Sequence, residues 1–120
     1  MNEHEKINYI ELPANDLAKT KAFYSTVFGW RFTDYGPDYS AFSNAGIEGG
    51  FYQSELSSSS STNGSALIVF YSSDLDNTES KITKAGCSIT QAIFSFPGGR
   101  RFHFADPNNN ELAVWSDKTT

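Results

Sequence analysis

The sequence predicts an α+β fold made of two tandem β-α-β-β-β modules. Three observations carry the prediction. Residues 10–20 read I-E-L-P-A-N-D-L-A-K-T and residues 68–78 read I-V-F-Y-S-S-D-L-D-N-T, so Ile10, Asp16, Leu17 and Thr20 recur as Ile68, Asp74, Leu75 and Thr78. In each copy an Asp stands where a helix N-cap belongs, and about a dozen residues later the run stops at Gly29 or Gly86. Short runs rich in aromatic and β-branched residues surround both helices, separated by Gly, Pro, Asn and Asp.

In chain order, Ile7–Leu12 is the first expected strand. Asp16 then caps a helix whose inward stripe is Leu17, Thr20, Tyr24, Val27 and Phe28, widened by Phe23. Strands are expected at Trp30–Tyr35, Tyr39–Ser43 and Gly46–Gln53, divided by the turns Gly36-Pro37-Asp38 and Asn44-Ala45-Gly46. The second copy repeats this. A strand at Ala66–Tyr71 leads to a helix with Leu75, Thr78, Ile82 and Ala85 on one stripe. Strands at Ser88–Phe94, Gly99–Phe104 and Asn110–Trp115 follow, divided by Pro97-Gly98-Gly99 and Asp106-Pro107-Asn108-Asn109. The whole chain, 1–120, reads as one domain: module one over about 6–53, a linker over 54–65, and module two over about 66–116. Ser57 to Ser61 form an unbroken serine run, too poor in apolar side chains to pack, so the linker is expected to be mobile.

Composition narrows the function. The chain has 120 residues, a size that favours a single core, and ten Phe, six Tyr and two Trp against one Met make that core aromatic. Its formal net charge of -5 repels phosphate backbones and anionic lipid surfaces, so neither nucleic acid nor membrane is an expected partner. Cys87 is the only cysteine, which excludes an internal disulfide and a cysteine zinc site. No apolar run nears the ~18 residues of a membrane span, and Met1–Lys6 is too polar for a signal peptide, so a cytoplasmic location is expected.

The tandem pattern, with Asp16-Leu17, Ala22-Phe23-Tyr24, Phe28-Gly29-Trp30, Gly49-Gly50 and Phe104-Ala105-Asp106-Pro107, resembles the vicinal oxygen chelate superfamily. That group includes glyoxalase I, bleomycin-resistance proteins and extradiol dioxygenases. The resemblance implies two mixed sheets curling around a shared cleft, with His, Glu or Gln metal ligands on the first and last strands of each half. The positions matching those ligands are Tyr9, Leu67 and Ala113, with Phe51 the best alignment for the fourth and Glu48 close by. Leu67 and Ala113 bind no metal, and a catalytic site needs about three protein ligands. No metal or other cofactor is therefore expected. Glu11, Glu48, His103 and Glu111 are the residues from which a site could be rebuilt.

Strand alternation sorts the faces. Ile10, Leu12, Ile68, Phe70, Leu112 and Val114 belong toward the helices; Tyr9, Glu11, Leu67, Val69, Tyr71, Glu111, Ala113 and Trp115 belong toward the cleft. Glu11 either faces water, pairs with an Arg, or has a raised pKa suited to proton transfer. Tyr9, Tyr71, Trp115 and Tyr52 either wall a ligand site or fill space between sheets. Gly98-Gly99-Arg100-Arg101 is a hairpin turn or an anion cradle. Gly49-Gly50 marks a bulge or a close approach. His103 reads as a packed or surface residue, His4 as part of a frayed end, and Cys87 as a structural thiol.

The leading expectation is a binding module. Tyr9, Glu11, Leu67, Val69, Tyr71, Ala113 and Trp115 line its small-molecule pocket, with Arg100 and Arg101 at the rim and Trp115 and Tyr9 as its bounds. The alternative is a metal-dependent glyoxalase-like lyase or isomerase in which Glu11 or Glu111 moves a proton. A homodimer is expected on the resemblance.

Overall fold

The computed structural model describes residues 2–118. The elements are β1 (Tyr9–Ala14), α1 (Leu17–Phe28), β2 (Arg31–Asp34), β3 (Tyr39–Ser43), β4 (Glu48–Gln53), α2 (Ser60–Asn63), β5 (Ile68–Tyr71), α3 (Leu75–Lys84), β6 (Ser88–Phe96), β7 (Gly99–Ala105) and β8 (Glu111–Ser116). Two four-stranded mixed sheets result, ordered β1-β4-β3-β2 and β5-β8-β7-β6, so each half follows the same path. In both, the first strand runs parallel to the last and the remaining pairs are antiparallel. Among the described residues no helix is long and apolar enough to cross a membrane.

The expected caps form. Asp16 accepts from the Lys19 amide and Asp74 from the Asn77 amide, each satisfying a first-turn donor. Gly29 closes α1 at φ 73°, a left-handed conformation that a side chain would strain.

The core is one aromatic cluster shared by both halves. Trp30 stacks between Tyr24 and Phe42 at centroid distances of 4.4 and 4.3 Å, and Phe28 stacks on Phe70 of the second half at 4.3 Å. Leu12, Leu112 and Val114 are buried in it, with Ile10, Ile68 and Phe70 packed against it, so the face expected from alternation is the face observed.

A buried polar turn locks the halves together. Asp106 Oδ1 accepts from the Asn108 and Asn110 amides, and its Oδ2 accepts from the Tyr24 hydroxyl at 2.8 Å. Asn108 reaches across to the β1–α1 junction. Its Oδ1 accepts from the Asn15 and Asp16 amides, and its Nδ2 donates to Thr20 Oγ1 at 2.8 Å. Asn110 Nδ2 donates to the Pro13 carbonyl. Burial raises the Asp106 pKa, opposed by the hydrogen bonds it accepts, while burial and then the Asp106 charge push the Tyr24 phenol well above its ordinary value.

The linker departs from expectation. It folds into α2, and the serine hydroxyls find one acceptor that local sequence does not reveal. Glu111 Oε1 accepts from the Ser61 amide at 2.9 Å and from the hydroxyls of Ser59, Ser60 and Ser61. The Ser58 carbonyl accepts from the Glu111 amide, and Asn110 Oδ1 accepts from the Ser58 amide. Polar bonds to a buried carboxylate replace the apolar packing that this segment lacks.

Candidate functional site

β1 and β5 are the edges of their respective sheets, and no strand pairing joins them among the described residues. A groove of about 740 Å³ opens along this seam. Its walls are apolar: Ile10, Leu12, Trp30 and Phe42 from the first half, Leu67, Ile68, Val69 and Phe70 from the second, with Tyr71 at one side. Glu11 is the only ionisable acid or base among its lining residues apart from the Tyr71 phenol. Side chains of both strand faces contribute, because the open seam exposes the edge of the core as well as the outward face.

Next to the groove, β1 carries Tyr9 and Glu11 on its outward face, with Glu48 and Gly50 as their partners on β4. Tyr39, from β3, lies over Gly50, where an added Cβ would overlap the Tyr39 ring. The Tyr39 hydroxyl donates to Glu11 Oε2 at 2.9 Å and lies 2.6 Å from the Tyr9 hydroxyl. A phenol has one proton, so Tyr39 spends its own on Glu11 and accepts from Tyr9. Partial burial and then its bonds to Tyr9 and Glu11 hold the Tyr39 phenol well above its ordinary pKa. Tyr39 is the member of this site that sequence reasoning missed. Its only signal is the adjacent Gly49-Gly50, whose second glycine makes room for the ring, while a Cβ on Gly49 would strike the Ile10 carbonyl and Phe42.

This geometry makes a test available. Gly50→Ala is expected to swing Tyr39 off Glu11, so that ultraviolet titration shows one more tyrosine ionising near the normal phenol range of ~10. An unchanged titration would mean that the ring does not depend on the missing Cβ.

The second sheet presents a separate cluster. His103 Nδ1 is 2.9 Å from Glu111 Oε2, both side chains are buried, and the carboxylate can only accept, so Nδ1 bears the proton. His103 Nε2 is buried without a partner. Burial pushes the Glu111 carboxyl up, but the Ser61 amide, His103, and the Ser61 and Ser59 hydroxyls outweigh it and bring the pKa to about 2. A carboxylate so engaged is a structural anchor, not a free base. Arg101 stacks over Phe94 and Phe96, and Trp115 meets Tyr71 edge-on at 5.3 Å.

Several expectations need correction. The expected pocket bounded by Trp115 and Tyr9 is not the groove observed, whose lining includes Glu11, Leu67, Val69 and Tyr71 but not Tyr9, Ala113, Trp115, Arg100 or Arg101. Ala113 is fully buried. Arg100 does not join Arg101 at a rim: neighbouring strand residues point to opposite faces, and Arg100 pairs with Asp76 of α3 at 3.5 Å. Tyr52 is exposed on β4, beside Tyr39 in the strand pairing. Cys87 is half-buried, its thiol pushed up to about 11 by burial and then by Asp106.

The metal positions are equally clear. Phe51 cannot be the fourth, because it is fully buried in the core against Tyr24. Tyr9, Leu67 and Ala113 supply no set of donors that fits a divalent ion. Glu11 and Glu48 lie on the first sheet, and His103 and Glu111 pair on the second. Among the described residues no three His, Cys, Asp or Glu side chains gather as a metal site. The residues present do not fit the metal that the resemblance implies.

Comparison with known proteins agrees with the architecture. No curated protein matches the chain by sequence. A glyoxalase/bleomycin resistance protein/dioxygenase family enzyme from Burkholderia phytofirmans PsJN superposes with a TM-score of 0.77 at 18% identity, covering 92% of this chain and 98% of that one. A fosfomycin resistance protein, FosX, from Listeria monocytogenes, solved with Mn(II) and 1S,2S-dihydroxypropylphosphonic acid, gives 0.76 at 21% identity, covering 94% and 90%. Lactoylglutathione lyase from Agrobacterium tumefaciens gives 0.70 at 21% identity, covering 96% of each chain. At these identities the likeness is one of fold. Residues 6–114 match the family described as the Glyoxalase/Bleomycin resistance protein/Dioxygenase superfamily, and the chain belongs to it.

Proposed function

We propose that this protein binds a small, largely apolar organic molecule in the groove between β1 and β5, without a metal at the positions the superfamily uses for one. The observation that carries the reading is the groove itself. At about 740 Å³ it has the size of a ligand site, and its walls are apolar with few polar groups. Glu11, Leu67, Val69 and Tyr71 supply contacts from the expected set, with Tyr9 and Tyr39 orienting Glu11.

A neutral fluorescent probe, N-phenyl-1-naphthylamine, tests this directly. Its emission is expected to rise saturably at one site per chain. Val69→Arg places a bulky cation at an exposed groove position and is expected to weaken binding by about tenfold or more, as the loss of one well-buried apolar contact would. Saturable binding that ignores this substitution, or no saturable binding at all, would overturn the assignment.

A further inference from the structure

We infer that the ligand class is an organic cation, a protonated amine attached to an apolar body. This rests on the groove reading above and adds the charge of the occupant.

The groove is complementary to a cation. Glu11 is the one carboxylate among the groove-lining residues, which include no Lys, Arg or His. Among the described residues Glu11 has no basic partner within ion-pair distance; the ion pairs present involve His4, Lys21, Arg100 and His103. Glu11 is exposed, so its charge is not buried at a cost and remains free to meet a ligand.

Proton placement sharpens this. Tyr9 gives its proton to Tyr39 and Tyr39 gives its own to Glu11, so the chain of hydroxyls runs toward the carboxylate. What remains for a newcomer in the groove is the acceptor capacity of Glu11 Oε1. At Glu11 Oε1 an anion or a neutral acceptor meets no donor, whereas an ammonium brings up to three; the one aliphatic hydroxyl in the lining is that of Ser58. Tyr71 brings an aromatic ring to the lining, a side chain of the kind that attracts cations. The net charge of -5 draws cations toward the surface as a whole.

Three probes with the same apolar body separate charge from burial: 4-butylbenzylamine, 4-butylbenzyl alcohol and 4-butylbenzoate, titrated calorimetrically at pH 7 and low salt. The amine is expected to bind about tenfold tighter than the alcohol and the benzoate weaker than both, since a charge-assisted hydrogen bond is the added element. In Glu11→Gln the amine is expected to fall to the level of the alcohol, while the alcohol keeps its wild-type affinity. Equal binding of amine and alcohol by the wild type, or a preference that survives Glu11→Gln, overturns the cation assignment and leaves the groove standing. Failure of all three probes overturns both.

Discussion

Asn108→Ala is expected to destabilise the protein by about 3 kcal/mol. Asn108 is 1% exposed, and its side chain serves the Asn15 and Asp16 amides and the Thr20 hydroxyl at once. Truncation removes the partner of two part-buried amides and of the buried Thr20 hydroxyl, which keeps only its bond to the Asp16 carbonyl, at about 1–3 kcal/mol for a group left unsatisfied. The site is also a joint: the turn after β7 holds the start of α1, so its loss loosens one half of the chain from the other. Urea denaturation followed by Trp fluorescence measures it. Tyr24→Phe removes one hydroxyl from the same network and leaves Asp106 its other donors, so about 1 kcal/mol is expected there. If Asn108→Ala unfolds within about 1 kcal/mol of wild type, the turn is not what joins the halves.

The second large effect lies at Glu111. Its folded pKa of about 2 is below the ordinary value of 4.5. A depressed carboxylate stabilises the native state fully above its unfolded pKa, and that contribution drains away as pH falls through the folded value. The window is therefore pH 4.5 down to 2. At neutral pH, Glu111→Gln is expected to cost about 2 kcal/mol, because charge-assisted bonds from Ser59, Ser60, Ser61 and His103 become neutral ones or are lost. At pH 2 the two proteins are expected to unfold alike. Taking the difference between variant and wild type cancels the opposing titration of Asp106, which burial raises, and that of Asp34 and Asp117, which their hydrogen bonds to Lys21 and Tyr71 lower. The same substitution frees the serine segment, so limited proteolysis within residues 54–65 should accelerate. A pH-independent gap between variant and wild type would show that the carboxylate charge is not what holds α2.

What could be read from the chain alone was whatever repeats over a few residues. The duplicated Asp-Leu caps, the Gly29 stop and the inward stripe from Leu17 to Phe28 are local, and each formed as expected. Period-two alternation likewise sorted Ile10, Leu12, Leu112 and Val114 correctly onto the core. The same period punishes a one-residue error. Phe51 was aligned toward the cleft, but the register Leu12↔Phe51 puts it on the core face, and Arg100 and Arg101 part company for the same reason. The rest was settled by contacts between residues far apart in the chain. Tyr39 meets Glu11 because β3 lies beside β4 and Gly50 leaves space. The serines meet Glu111 because β8 begins against the linker. The groove exists because two edge strands stand side by side unpaired. Caps and stripes follow from bonds a few residues long, whereas a site assembled across sheets depends on register and topology, which no local pattern encodes.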